Sequence, residues 1–184
     1  MTGLQDRLLD AAEAVVVRQG IASLTLDAVA AEAHISKGGL LYHFPSKDRL
    51  VEALVRRSAE AWRACYMDAY RRIPEGPGRM ARALLRHCLS DAQGWTDQLR
   101  HSSSAVFVAL AQNPSLIEPM RAVYSDLHRR IGEDGLPPGV GQAVAAAIDG
   151  LWLYRVLGLA RVDQDLMARV RLALENMVAG GHSA

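Results

Sequence analysis

Apolar residues recur three and four positions apart along nearly the whole chain, a spacing that predicts helices rather than strands. Leu4, Leu8, Ala11, Ala12 and Val15 make the first such face, opened by a capping pair at Thr2 and Gln5 and closed by Gly20. Thr25 is suited to cap a short second helix bearing Val29, Ala30 and Ala33, with His34 and Ile35 as the turn that follows. Ser36 caps a third helix reaching only to Phe44, because Pro45 cannot continue it. Ser46 caps a fourth, in which Leu50, Leu54, Ala61, Trp62 and Tyr66 keep helical spacing to about Arg72. The run Ile-Pro-Glu-Gly-Pro-Gly at 73–78 breaks the chain.

Beyond the break, helices are expected over 79–93 and 96–112, with Asn113-Pro114 as the stop. Ser115 and Glu118 suggest a capping box for a helix running to about 131. A loop over 132–141 and two final helices, over 140–161 and 164–179, complete the reading. No alternating β-branched run, internal repeat or low-complexity tract interrupts it. The expected fold is all-α, with about nine helices. The stretch 145–159 is apolar nearly all round, so it must be covered on more than one side. With Leu166, Val170, Ala173, Leu174 and Met177 of the last helix, it suggests a two-fold four-helix contact and hence a homodimer. Leu151, Tyr154, Arg155, Leu166, Val170, Leu174 and Met177 are the candidate interface residues.

Composition adds limits. The 184 residues suffice for a small module plus a larger domain, and half of them are apolar. A net charge of +1 gives no global case for nucleic-acid binding, so any such case must rest on local placement. Only two of the 21 basic residues are lysines, Lys37 and Lys47, and both fall in one short segment. Cys65 and Cys88 fit no metal or redox spacing and read as small buried apolar residues. No charged-then-apolar leader and no 18-residue apolar run occurs, so a soluble, cytoplasmic protein without membrane contact is expected. Neither a metal site nor a cofactor is expected.

Residues 24–50 hold the chemistry. Their order of helix, tight turn, short helix and capped long helix is that of a helix-turn-helix. The short third helix contains Gly38 and Gly39, each costing about 1 kcal/mol relative to Ala in a helix interior. Bare positions let a helix approach another surface closely, as in the major groove of DNA. From 34 to 49 the charges are Lys37, Lys47 and Arg49 against Asp48, with His34 and His43 beside them. From 1 to 33, Arg7 and Arg18 face five acids. A lysine in the first turn of a helix opposes the macrodipole, and a phosphate docked there would reverse that penalty.

The series Leu24-Thr25, Asp27 to Ala33, Ile35-Ser36-Lys37-Gly38, Leu40, Tyr42-His43-Phe44, Ser46-Lys47 and Leu50 resembles the DNA-binding domain of TetR/AcrR-family regulators, over residues 4 to about 55. The resemblance implies a helix-turn-helix domain over 1–46 and a helical regulatory and dimerisation domain over 47–184, joined by the helix 47–72. It implies that Leu40 and Phe44 are core. Lys37, Gly38, Gly39 and Leu41 would face the major groove, Thr25, Tyr42, His43 and Lys47 would hold phosphates, and Ser36 would be a further DNA-binding residue. Leu41 departs from the family pattern, since many members carry an aromatic or polar contact residue there. A leucine can touch a thymine methyl but cannot donate to a base, which shifts specificity toward Lys37 and DNA shape.

The resemblance further implies a ligand pocket in the C-terminal domain, repression as the usual mode and a palindromic double-stranded operator read by a dimer. Candidate pocket residues are Trp62, Tyr66, Trp95, Phe107, Met120, Tyr124 and Trp152, with His128 and Asp149 as polar members. They suit a small effector that is partly apolar or aromatic. Asp149, in so apolar a helix, needs a partner: Arg155, another arginine across the interface, or a ligand. The alternatives are a helical small-molecule-binding protein that has lost DNA recognition, and an enzyme. His101 and the three serines after it lack an orienting acid or an oxyanion turn, so no catalytic residue is expected.

Overall fold

The protein is described from a computed structural model, over residues 3–90 and 105–180. Among the described residues every α- or 3-10 element is a helix and none is a strand. The chain divides into two compact units, one of residues 1–60 and 100–121, the other of 61–99 and 122–184.

The first unit contains α1 (Leu4–Gln19), a 3-10 turn (Ile21–Ser23), α2 (Leu26–Glu32), α3 (Lys37–His43) and the first half of α4 (Lys47–Arg72). Helical residues 105–112 (α6) and the 3-10 turn Pro114–Ile117 join it. The predicted apolar faces converge: Leu8, Val15, Leu24, Val29, Leu40, Phe44, Leu50 and Leu54 form one core with Val108, Ala109 and Leu116. Arg57 on α4 bridges Asp10 and Glu13 of α1, each at 2.7 Å.

In the second unit, the rest of α4 is joined by α5 (Arg79–Cys88), most of α7 (Glu118–Gly132), α8 (Val140–Leu157) and α9 (Gln164–Gly180). Tyr66, Met80, Leu84, Leu85, Leu127, Val144, Ile148 and Met167 are buried. Asp134 caps α5 from far along the chain: its carboxylate accepts from Met80 N at 2.9 Å and Ala81 N at 3.0 Å. A Cβ on Gly141 would stand 2.5 Å from Ile131 Cγ2, so the start of α8 can only be this close to α7 without a side chain there.

Several element ends differ from the pattern-based reading. At α1 the cap is Gly3, whose N–H donates to the Asp6 carboxylate at 3.2 Å; Thr2 lies outside the described residues. Asn113, not Ser115, caps the segment before α7, accepting from Ser115 N at 3.0 Å. The eighth helix stops at Leu157 because Gly158 takes a left-handed conformation, φ 65°. The expected extension of α5 past Ser90 and the expected helix start at 96 fall outside the described residues, as does Trp95. No helix among the described residues is long and apolar enough to cross a membrane.

Candidate functional site

Local capping builds the helix-turn-helix. Thr25 Oγ1 accepts from Ala28 N at 3.1 Å and starts α2. The end of α2 is closed by two bonds, His34 N to Ala31 O at 3.1 Å and Ile35 N to Ala30 O at 3.0 Å. This double closure requires a left-handed residue after the cap, and His34 supplies it at φ 54°. Ser36 Oγ then accepts from Gly39 N at 3.1 Å and starts α3.

The third helix therefore has a fixed inner side and an open outer one. Leu40 and Phe44 are buried. Lys37 and Gly38 are exposed, Leu41 and His43 are half-buried, and Tyr42 is 85 % exposed with its ring edge-on to His43 at 5.2 Å. A Cβ on Gly38 would meet only Ser36 Oγ at 4.0 Å, and one on Gly39 would meet Ser36 Oγ at 3.4 Å and Ile35 Cδ1 at 3.7 Å. These are ordinary contacts, so nothing within the protein requires glycine at either position.

The charges beside α3 are only partly as the sequence suggested. Lys37 Nζ pairs with Asp27 at 2.9 Å and Arg49 with Glu52 at 2.9 Å. Both pairs are solvent-exposed, and exposed pairs contribute about 0–1 kcal/mol, so an incoming phosphate can replace either. Asp48 is engaged by the Gln112 side chain. Lys47, at the first position of α4 behind Ser46, forms no salt bridge among the described residues. Ser46 Oγ accepts from Arg49 N at 3.2 Å.

Two polar clusters lie in the second unit. Asp149 on α8 accepts a hydrogen bond from Tyr124 on α7, whose hydroxyl donates at 2.8 Å, a partner the sequence did not suggest. Burial raises the Asp149 carboxyl above the usual range, opposed by the Tyr124 hydrogen bond and by His128. The Tyr124 hydroxyl is raised by its own burial and by Asp149. His128 follows on α7, its ring 6.3 Å from that of Tyr124. The second cluster sets Trp62 5.6 Å from Tyr66 and 6.0 Å from His87. Trp62 Nε1 is buried with no acceptor, and burial lowers the His87 pKa. His87 was missed in the sequence, although it neighbours buried Cys88 and follows Leu84 at helical spacing.

Other sequence candidates separate. Phe107 and Met120 belong to the first unit, where Met120 packs on the core, whereas Trp62, Tyr66, Tyr124, His128, Asp149 and Trp152 belong to the second. Of the expected interface residues, Leu151 and Leu174 are buried within the subunit itself. Tyr154 and Met177 are exposed, and Arg155, Leu166 and Val170 are half-buried. Exposed Leu153 and Leu157 went unread, because a helix apolar all round does not reveal which stripe faces inward; Leu159 just beyond α8 and Leu172 on α9 are exposed as well.

Comparison with known proteins agrees with this architecture. Residues 8–54 match a family profile described as bacterial regulatory proteins, tetR family, and residues 78–179 match a tetracyclin repressor-like C-terminal domain. The HTH-type transcriptional regulator BetI of Escherichia coli (strain SMS-3-5 / SECEC) is 25 % identical over 174 residues, covering 87 % of this chain and 86 % of BetI. A TetR-family structure from Streptomyces coelicolor, SCO1917, superposes with a TM-score of 0.68 at 26 % identity, covering 96 % of this chain and 99 % of that one. The multidrug binding protein EbrR, in complex with malachite green, superposes at 0.65 and 27 % identity, covering 95 % and 97 %. The chain belongs to the TetR family and is a ligand-responsive, DNA-binding transcriptional regulator.

Proposed function

We propose that the protein is a cytoplasmic repressor that docks α3 in the major groove of a palindromic operator as a homodimer and releases it when a small organic cation binds around Asp149. The observation that carries the DNA half is the bare outer side of α3. Gly38 and Gly39 have room for a Cβ within the protein, so their helix-propensity cost has no internal justification. A duplex pressed against that side supplies one. Lys37, Gly38, Gly39 and Leu41 meet base edges, with Leu41 on a thymine methyl, while Thr25, Ser36, Tyr42, His43 and Lys47 hold the backbone.

The effector half rests on Asp149. A half-buried carboxylate held by one phenol, with a second cluster of Trp62, Tyr66 and His87 in the same unit, suits a flat apolar body carrying positive charge. EbrR structures contain ethidium and malachite green, both organic cations. Dimerisation uses the exposed apolar stripes of α8 and α9. The domain boundary for this reading lies at the start of α4, with residues 1–46 as the reading head.

The test is a gel shift on DNA upstream of the protein's own coding sequence, repeated over a salt series. Wild type is expected to shift it, and Lys47→Ala to lower the log–log salt slope by about one, the signature of one lost phosphate contact. An unchanged slope would remove Lys47 from the interface, and no shift at all would return the protein to the class of helical ligand-binders without DNA recognition.

A further inference from the structure

Between α5, α9 and the segment after α4 lies a cleft of about 700 Å³, apart from the Asp149 and Trp62 clusters and within the second unit. Its floor is apolar, with Ile73, Leu85 and Val178. Its polar lining is dominated by three guanidiniums, Arg82, Arg86 and Arg171, against the single carboxylate of Glu175. We infer that this cleft binds an amphipathic anion, a carboxylate or phosphate head on a linear apolar body.

The arginines are unevenly satisfied. Arg82 is positioned by donating from Nη2 to Pro74 O at 2.9 Å, yet its Nε is buried without a hydrogen-bond partner. Arg171 Nε forms a long ion pair with Glu175 Oε1 at 3.6 Å, outside hydrogen-bond distance. Arg86 is exposed and forms no salt bridge among the described residues. A planar guanidinium fork matches a carboxylate or phosphate better than any neutral group, and three guanidiniums against one carboxylate give the lining an excess of positive charge that an anionic head offsets. The apolar floor adds a requirement that a bare inorganic ion does not meet.

The corner of the cleft is rigid. Arg79 Nε donates to Ile73 O at 2.8 Å, Gly78 N to Asp134 O at 2.6 Å, and the Asp134 carboxylate caps α5. A Cβ on Gly78 would stand 3.1 Å from Val178 Cγ1, so α9 is seated tightly on this corner. The cleft is also clear of the proposed dimer face. On the helical wheel of α9, Arg171 and Glu175 lie on one flank of buried Leu174, and Val170, Ala173 and Met177 on the other. An occupant therefore need not compete with the partner subunit.

Titration calorimetry of the full chain with decanoate, below its micelle concentration, tests the inference, with decanol as the neutral control. Decanoate is expected to bind saturably at one molecule per subunit, weakened by salt, and decanol to bind roughly tenfold more weakly or not at all. The double variant Arg86→Glu/Arg171→Glu alters only exposed or half-exposed side chains and is expected to fold, as circular dichroism would check, and to lose decanoate binding about tenfold or more. Asp149→Asn should leave decanoate affinity unchanged. Equal affinity for decanol, retention of binding in the double variant, or loss of binding in Asp149→Asn would each overturn the assignment. The DNA-binding reading does not depend on the result.

Discussion

At Gly38 the requirements of stability and recognition point in opposite directions. The backbone there is helical and its Cβ position is open, so Gly38→Ala should raise stability by up to about 1 kcal/mol through lower unfolded-state entropy. The same methyl group stands on the side proposed to meet DNA, where overpacking costs about 1–3 kcal/mol. Urea melts and operator titrations on one preparation should therefore move oppositely, with affinity down about tenfold. If affinity holds, α3 does not press its bare side into the groove. Asp149 poses the same conflict in the second unit. Its folded-state pKa is raised, chiefly by burial, so the ionised form destabilises the fold; the fold is best served below the unfolded carboxylate pKa and loses stability as pH rises through the folded value. Asp149→Asn keeps an acceptor for the Tyr124 hydroxyl and removes the charge. Its melting temperature should exceed wild type at pH 7, with the gap closing as pH falls toward 4, while response to a cationic dye is lost. A variant less stable than wild type at pH 7 would show that the carboxylate is stabilised by partners other than Tyr124 and His128.

Elements were legible in the sequence where their determinants are local. Thr25, Ser36 and Ser46 cap the helices whose starts they mark, whereas the end of α8 was placed about four residues late because Gly158, which stops it at φ 65°, lies inside an apolar run. Determinants distant in sequence were not legible. Asp134 caps α5 from 54 residues away, and Tyr124 meets Asp149 from 25 residues away. Nor does composition say which stripe of α8 turns inward. The structure buries Val144, Ile148 and Leu151, leaves Ala146, Leu153 and Leu157 exposed, and half-buries Gly150. Gly150 has no atom within 4 Å of a Cβ built on it, so its place in the middle of an 18-residue helix is unexplained by the subunit alone. A partner helix approaching closely would explain it, as small residues on a helix face allow such an approach. Gly150→Leu should therefore strengthen the isolated helix, yet shift the protein toward monomer in sedimentation equilibrium. A variant that remains as dimeric as wild type would move the interface off this stripe.

For the whole molecule, ligand response is a coupling free energy, and its sign and symmetry can be tested without knowing the path of the motion. If an organic cation weakens operator binding by some factor, saturating operator must weaken cation binding by that same factor. Typical couplings of about 1–3 kcal/mol correspond to roughly 5–150-fold, within reach of fluorescence titration. Ethidium inserts into duplexes by itself, so malachite green fluorescence, corrected on operator alone, is the better probe for the four-way cycle of free protein, dye complex, operator complex and ternary complex. The two ratios should agree. Acidification adds a second constraint: a cation can pair with Asp149 only when the carboxylate is ionised, and burial has raised its pKa. Apparent dye affinity should thus fall as pH drops through that raised value, while affinity for operator in the absence of dye should not follow the same curve. Asp149→Asn should flatten the dye curve. A dye that binds wild type tightly at every pH and leaves operator affinity unchanged would occupy some other surface, and the link between Asp149 and release from DNA would be broken.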